Sequence, residues 1–210
     1  MGLFYTVVKH LTNFALHVAF KMEYEGIENI PEGGGYLACA NHRTMIDPFF
    51  FVNKVKPQMS FMAKQELFEN KITNAIFRGL GAFPVNRGKG DTGAIDTAVN
   101  ILEEGGILGI FPEGTRSKSG IPLRPKSGAA LVAIRTKSDI LPIGISFDNP
   151  LRFRSKVTIR FGKVIRFEEL GAEQGLPSEM KQASKLIMGR IVELVDVPML
   201  PAPEENGEEK

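Results

Sequence analysis

Solid apolar runs alternate along the chain with longer stretches in which apolar positions recur every three or four residues. The runs Tyr36–Ala40, Ser60–Ala63, Ala82–Val85, Ile107–Phe111, Ile140–Phe147 and Val157–Phe161 read as strands, with Glu23–Ile30 as an edge strand. Helices are predicted over Pro48–Val52, Lys64–Phe68, Ile72–Leu80, Gly128–Arg135 and Met180–Leu194. Another starts at Asp91 or Thr92, places Ala94, Ile95, Ala98, Ile101 and Leu102 on one face, and stops at Gly105-Gly106. Strand and helix taking turns in this way predict an α/β fold, with a central, mostly parallel or mixed sheet flanked by helices.

Residues 3–20 carry a different pattern. At about 100° per residue, Leu3, Phe4, Val7, Leu11, Phe14, Ala15 and Val18 share one arc, and Thr6, Lys9, His10, Asn13 and His17 share the other. Such a helix has two homes, the protein's own core or a membrane interface. Its place ahead of the motif-bearing part of the chain favours the interface. Residues 1–22 are therefore expected to be an interfacial, membrane-associating helix, residues 23–197 one globular domain, and the Pro- and Glu-rich residues 198–210 a disordered acidic tail.

Composition narrows the class. At 210 residues and 43% hydrophobic, the chain can close a substantial core. Its one cysteine, Cys39, lies inside an apolar run, and His10, His17 and His42 are too scattered for a zinc site, so no disulfide framework and no metal are expected. The net charge of +2 hides an asymmetry: without Pro201–Lys210, 25 basic and 20 acidic residues remain, or +5. A basic body suits an anionic substrate or lipid surface, and no nucleic-acid-binding motif accompanies it. Arg152, Arg154, Lys156 and Arg160 alternate in a way expected to put positive charge on one strand face. No apolar run is long enough for a transmembrane helix, and no basic leader suggests a signal peptide.

The chemistry concentrates after Tyr36–Ala40. Asn41-His42-Arg43-Thr44-Met45-Ile46-Asp47 brings a histidine to a strand end, with a carboxylate five residues on. If Asp47 folds back onto His42, a hydrogen bond to one ring nitrogen fixes the tautomer and leaves the other nitrogen to accept a proton. The same residues would also serve as a helix-capping aspartate and an unrelated surface histidine. Arg87, beside Gly88 in a loop after a strand, offers a bidentate fork for phosphate, or a solvated loop arginine.

Asn41-His42-x-x-x-x-Asp47 resembles the catalytic block of the glycerolipid acyltransferases, which include the 1-acylglycerol-3-phosphate acyltransferases. Gly81-Ala82-Phe83-Pro84-Val85-Asn86-Arg87, Phe111-Pro112-Glu113-Gly114-Thr115-Arg116-Ser117 and Ile140-Leu141-Pro142-Ile143-Gly144 follow in that family's order, so the resemblance covers about residues 25–165. It implies that 23–197 is an acyltransferase domain in which His42 is the general base and Asp47 orients it. It further implies that Arg87, Glu113, Gly114, Thr115, Arg116 and Lys64 bind the acceptor, with Lys126 less firmly assigned. In this reading Glu113 holds an arginine or meets glycerol hydroxyls, Gly114 lets backbone amides face an anion, and Pro142 and Gly144 shape a pocket. No serine or cysteine nucleophile stands beside His42, so direct attack of the acceptor hydroxyl on a thioester is expected. The co-substrate would be acyl-CoA or acyl carrier protein with no cofactor, the acceptor a lysophospholipid, and the location the cytoplasmic face of a membrane. Glycerol-3-phosphate or another lysolipid as acceptor, a lipid-binding module without activity, and a thioesterase are the alternatives.

Overall fold

The computed structural model describes residues 3–85, 92–148, 150–172 and 175–196. Its elements are α1 (Leu3–Ala19), β1 (Lys21–Glu25), β2 (Tyr36–Ala40), α2 (Asp47–Phe51), β3 (Met59–Lys64), α3 (Lys71–Gly79) and β4 (Ala82–Val85). These are followed by α4 (Thr92–Glu103), β5 (Ile107–Ile110), α5 (Gly128–Thr136), β6 (Ile140–Phe147), β7 (Lys156–Phe161) and α6 (Pro177–Val192). The strands form a single sheet in the order β1-β7-β6-β2-β5-β3-β4. All neighbours run parallel except β6 and β7, so the expected mixed, mostly parallel sheet is present.

β2 lies in the middle and is buried along its whole length, which is why its sequence is a solid apolar run. Leu37 and Cys39 face a core shared with α4, α5 and α6. Tyr36, Ala38 and Ala40 face the opposite core, under α1 and α2. The parallel strands β2 and β5 start in register at Tyr36 and Ile107, so the segments that follow both strands leave the sheet along the same edge. Ligands usually bind at that edge of an α/β sheet.

Several boundaries differ from the sequence expectation. The edge strand stops at Glu25 and is followed by a short 3-10 turn, Ile27–Asn29. Gly26 makes that break: it has φ +70°, and a Cβ there would lie 2.1 Å from the Phe161 carbonyl oxygen. Lys64 ends β3, and only Gln65–Phe68 turns helically, as 3-10. α6 starts three residues early, because Pro177 suits the first helical position and Glu179 accepts from the Leu176 N–H. The expectations for Asp91 and the acidic tail at 198–210 fall outside the described residues.

α1 has two apolar sides. It docks through Tyr5 and Leu16, with Lys9 donating from Nζ to the Val55 carbonyl at 3.0 Å. Leu3, Phe4, Val7, Leu11, Phe14 and Val18, the large members of the arc read from the sequence, are each 47–81% exposed. The helix thus contributes to the core through one side while the predicted stripe faces outward. Among the described residues, no helix is long and apolar enough to cross a membrane.

Candidate active site

Asp47 begins α2, and its buried carboxylate collects four donors. Oδ2 accepts from His42 Nδ1 at 2.8 Å, the Arg43 amide at 2.6 Å and the Thr44 amide at 2.8 Å, while Oδ1 accepts from the Thr44 hydroxyl. The loop therefore wraps its own carboxylate, and the five-residue spacing is what closes it. With Nδ1 donating to Asp47, Nε2 carries the lone pair. The His42 ring also stacks on Phe111, with centroids 4.0 Å apart and planes 17° from parallel.

The peptide of His42 is held as firmly as its ring. Its N–H donates to Glu113 Oε1 at 2.7 Å, and its carbonyl accepts from the Ser117 amide at 2.8 Å. Glu113 Oε2 accepts from the Leu123 amide at 2.9 Å. Each Glu113 oxygen thus accepts from a backbone amide, and Glu113 does not line the cavity that contains Arg116. Burial pushes its carboxyl above the ordinary carboxylate range, opposed by the hydrogen bonds from His42 and Leu123.

Sequence reasoning gave no role to two further residues that hold the loop. Asn41, buried, donates through Nδ2 to the Ile145 carbonyl at 2.9 Å and accepts at Oδ1 from the Ile145 amide at 2.7 Å. Its amide thus stands in for a peptide group against β6, and an asparagine at the end of a buried run is the signal that could have found it. Arg43 stacks on Phe147, 3.7 Å from its centroid, and donates to the Phe147 carbonyl at 2.6 Å.

An apolar cavity of about 290 Å³ opens beside His42. Tyr5 and Val8 of α1, Phe49 of α2, Phe61 of β3 and Phe77 of α3 wall it, and Lys9, Lys64 and Arg116 are its cationic members. Arg116 and Lys64 are thereby brought to the histidine's cavity, with Lys64 Nζ also paired to Glu66 at 2.7 Å. A short loop links His42 and Asp47 at one sheet edge to this cavity, an arrangement fit to deprotonate a hydroxyl beside an apolar chain.

A family model described as Acyltransferase matches residues 21–146. The chain belongs to that family. It is 36% identical over 116 residues to the 1-acyl-sn-glycerol-3-phosphate acyltransferase of Bacillus subtilis (strain 168), covering 55% of this chain and 57% of that protein. It is 32% identical over 177 residues to the enzyme of the same name from Streptococcus pneumoniae (strain ATCC BAA-255 / R6), covering 80% of this chain and 65% of that one. The chain thus spans between about half and two-thirds of these relatives. The crystal structure of the 1-acyl-sn-glycerophosphate acyltransferase of Thermotoga maritima has the same fold, with a TM-score of 0.73, 23% identity, and coverage of 90% of this chain and 77% of that one.

Not every acyltransferase block contributes side chains to the cavity. Gly114 donates its own amide to the Phe111 carbonyl at 3.0 Å, so that amide does not face an anion. Gly114 is favoured instead because φ is +67°, in the left-handed region. Thr115 is exposed and does not line the cavity. Gly144 packs against Leu194, which a Cβ there would meet at 2.5 Å, and neither Pro142 nor Gly144 lines the cavity beside His42. Arg152 and Arg154 lie in a turn before β7, not on a strand face. Lys156 is paired with Glu23, and Arg160 with Glu25 and Asp196. Arg87 lies outside the described residues. Among the described residues, no His, Cys, Asp and Glu gather to hold a metal ion. Cys39 points to the layer opposite His42's loop, and burial pushes its thiol up to about 12.

Proposed function

We propose that the chain transfers a fatty acyl group from acyl-CoA or acyl carrier protein to the free hydroxyl of 1-acylglycerol-3-phosphate, forming phosphatidate. The observation that carries this reading is the buried His42–Asp47 pair at the apolar cavity that also contains Arg116. Nε2 of His42 takes the hydroxyl proton as that oxygen bonds to the thioester carbonyl carbon. The tetrahedral intermediate then collapses, the carbon–sulfur bond breaks, and His42 returns the proton to the departing thiolate. Asp47 stabilises the imidazolium between these two steps. The high thiol of Cys39 supports direct transfer without an acyl-enzyme.

In this reading the cavity takes an acyl chain, and Arg116 and Lys64 face the acceptor phosphate. Arg87 joins them on the strength of the sequence resemblance alone. The names of the curated relatives support the acceptor. The outward stripe of α1 supports a peripheral or monotopic position on the cytoplasmic face of a membrane, where thioester donors are available.

Purified full-length chain, incubated with an acyl-CoA or acyl carrier protein donor and a panel of acceptors, tests the proposal. Phosphatidate is the expected product, and His42→Ala should lower turnover by at least about 10³-fold. Full activity in His42→Ala would dismiss the histidine. Acyl release independent of any acceptor would identify a thioesterase, and a clear preference for glycerol-3-phosphate would move the acceptor.

A further inference from the structure

The connection from β6 to β7 ends in a β-turn, Arg152–Ser155. The Ser155 amide donates to the Arg152 carbonyl at 3.0 Å, and the Arg152 amide to Ser155 Oγ at 3.0 Å. Phe153 stands at the turn with 73% of its surface exposed. Arg154 follows with φ +64°, a left-handed conformation that glycine adopts without strain and arginine does not. Among the described residues, neither Arg152 nor Arg154 has a carboxylate partner, in contrast to Lys156 and Arg160 on the adjoining strand.

The turn is tied to the end of α1. The Arg154 amide donates to the Ala19 carbonyl at 2.6 Å, and the Lys21 amide to the Ser155 carbonyl at 2.9 Å. It therefore stands beside the end of the exposed stripe that carries Phe14 and Val18. A water-exposed phenyl ring between two guanidinium groups without a carboxylate partner among the described residues has the chemistry of a bilayer interface, with the ring among acyl chains and the cations on lipid phosphates.

We propose that Arg152-Phe153-Arg154 is a second membrane contact. Phe153 inserts into the interface of an anionic bilayer, and both arginines bind lipid phosphates. Together with α1 it extends the membrane-facing surface past the end of the helix. This inference rests on the reading of α1 as interfacial.

The chain contains no tryptophan, so single tryptophans report without background. Full-length Phe153→Trp and Phe14→Trp variants are titrated with phosphatidylcholine vesicles carrying about 30% phosphatidylglycerol, enough for an anionic surface potential. Emission from both should shift to the blue and be quenched by brominated lipid. Phe153→Ser should weaken vesicle partition about tenfold. Arg152→Gln and Arg154→Gln should each weaken it about fivefold on anionic vesicles and not on neutral ones. Phe153 is exposed, so these variants should keep the wild-type unfolding midpoint. A shift at position 14 with none at 153 overturns the proposal and leaves α1 as the anchor; an acidic protein partner for the arginines would give that pattern. No shift at either position overturns the membrane reading as well.

Discussion

Replacing Asp47 by Asn removes a charge and almost nothing else. An amide with its oxygen at the Oδ2 position still accepts from His42 Nδ1, Arg43 and Thr44, and its NH₂ meets a Thr44 hydroxyl that can turn to accept. The imidazole tautomer is therefore kept, and what disappears is the attraction between carboxylate and imidazolium. Nδ1 and Oδ2 are 2.8 Å apart. With charge centres about 4 Å apart and an effective dielectric near 20, that attraction is about 4 kcal/mol, or about 10³-fold in kcat. The loss should be smaller than the roughly 10⁴-fold seen where the same change inverts the tautomer. Asp47→Ala, in contrast, strands the amides of Arg43 and Thr44, at about 1–3 kcal/mol each. The assay is thiol release from acyl-CoA in the presence of 1-acylglycerol-3-phosphate, with a urea unfolding curve for each variant. Asp47→Asn should lose kcat with KM little changed and stay more stable than Asp47→Ala. A kcat within about tenfold of wild type would refute the electrostatic argument, and an Asn variant less stable than the Ala variant would refute the hydrogen-bond assignment.

Glu113→Gln leaves one of two amides, the buried one of His42 or the part-buried one of Leu123, without an acceptor. It should cost about 1–3 kcal/mol of stability and lower kcat more than it raises KM, because the change loosens His42 and touches no ligand. Glu113 binds a proton more readily folded than unfolded, so its share of stability is present at low pH and is lost as pH rises from the ordinary carboxylate range through its raised value. Urea midpoints followed across that window should flatten in Glu113→Gln; an unchanged slope would argue against the burial. Cys39, pushed up to about 12, should resist iodoacetamide at pH 8 in the native protein and react in urea. Its contribution to stability holds below the unfolded thiol range and fades only as pH climbs toward 12. Rapid alkylation with loss of turnover would point to an acyl-enzyme route after all.

What could be read from sequence followed from short-range order. Tyr36–Ala40 is a solid apolar run because both faces of β2 are covered, and the His42–Asp47 contact is closed by one short loop. Glu113 pairs with a backbone amide 71 residues away, a contact that no local pattern encodes. Gly144 is likewise pressed by Leu194, a contact far along the chain. The apolar arc read on α1 is its exposed side, and Tyr5 and Leu16, too few to form a stripe, are its docking side. Lys64 ended a strand where a helix was expected, and it reached the cavity all the same.

The peptide of His42, gripped through Glu113 and Ser117, has a bearing on biosynthesis. A ribosome must deliver residues 113 and 117 before His42 can be seated, and Asn41 waits longer still for its partner at Ile145. On the proposed mechanism, a nascent or clipped chain carrying only the histidine block would be inert, leaving activated thioesters unspent until the whole sheet has closed.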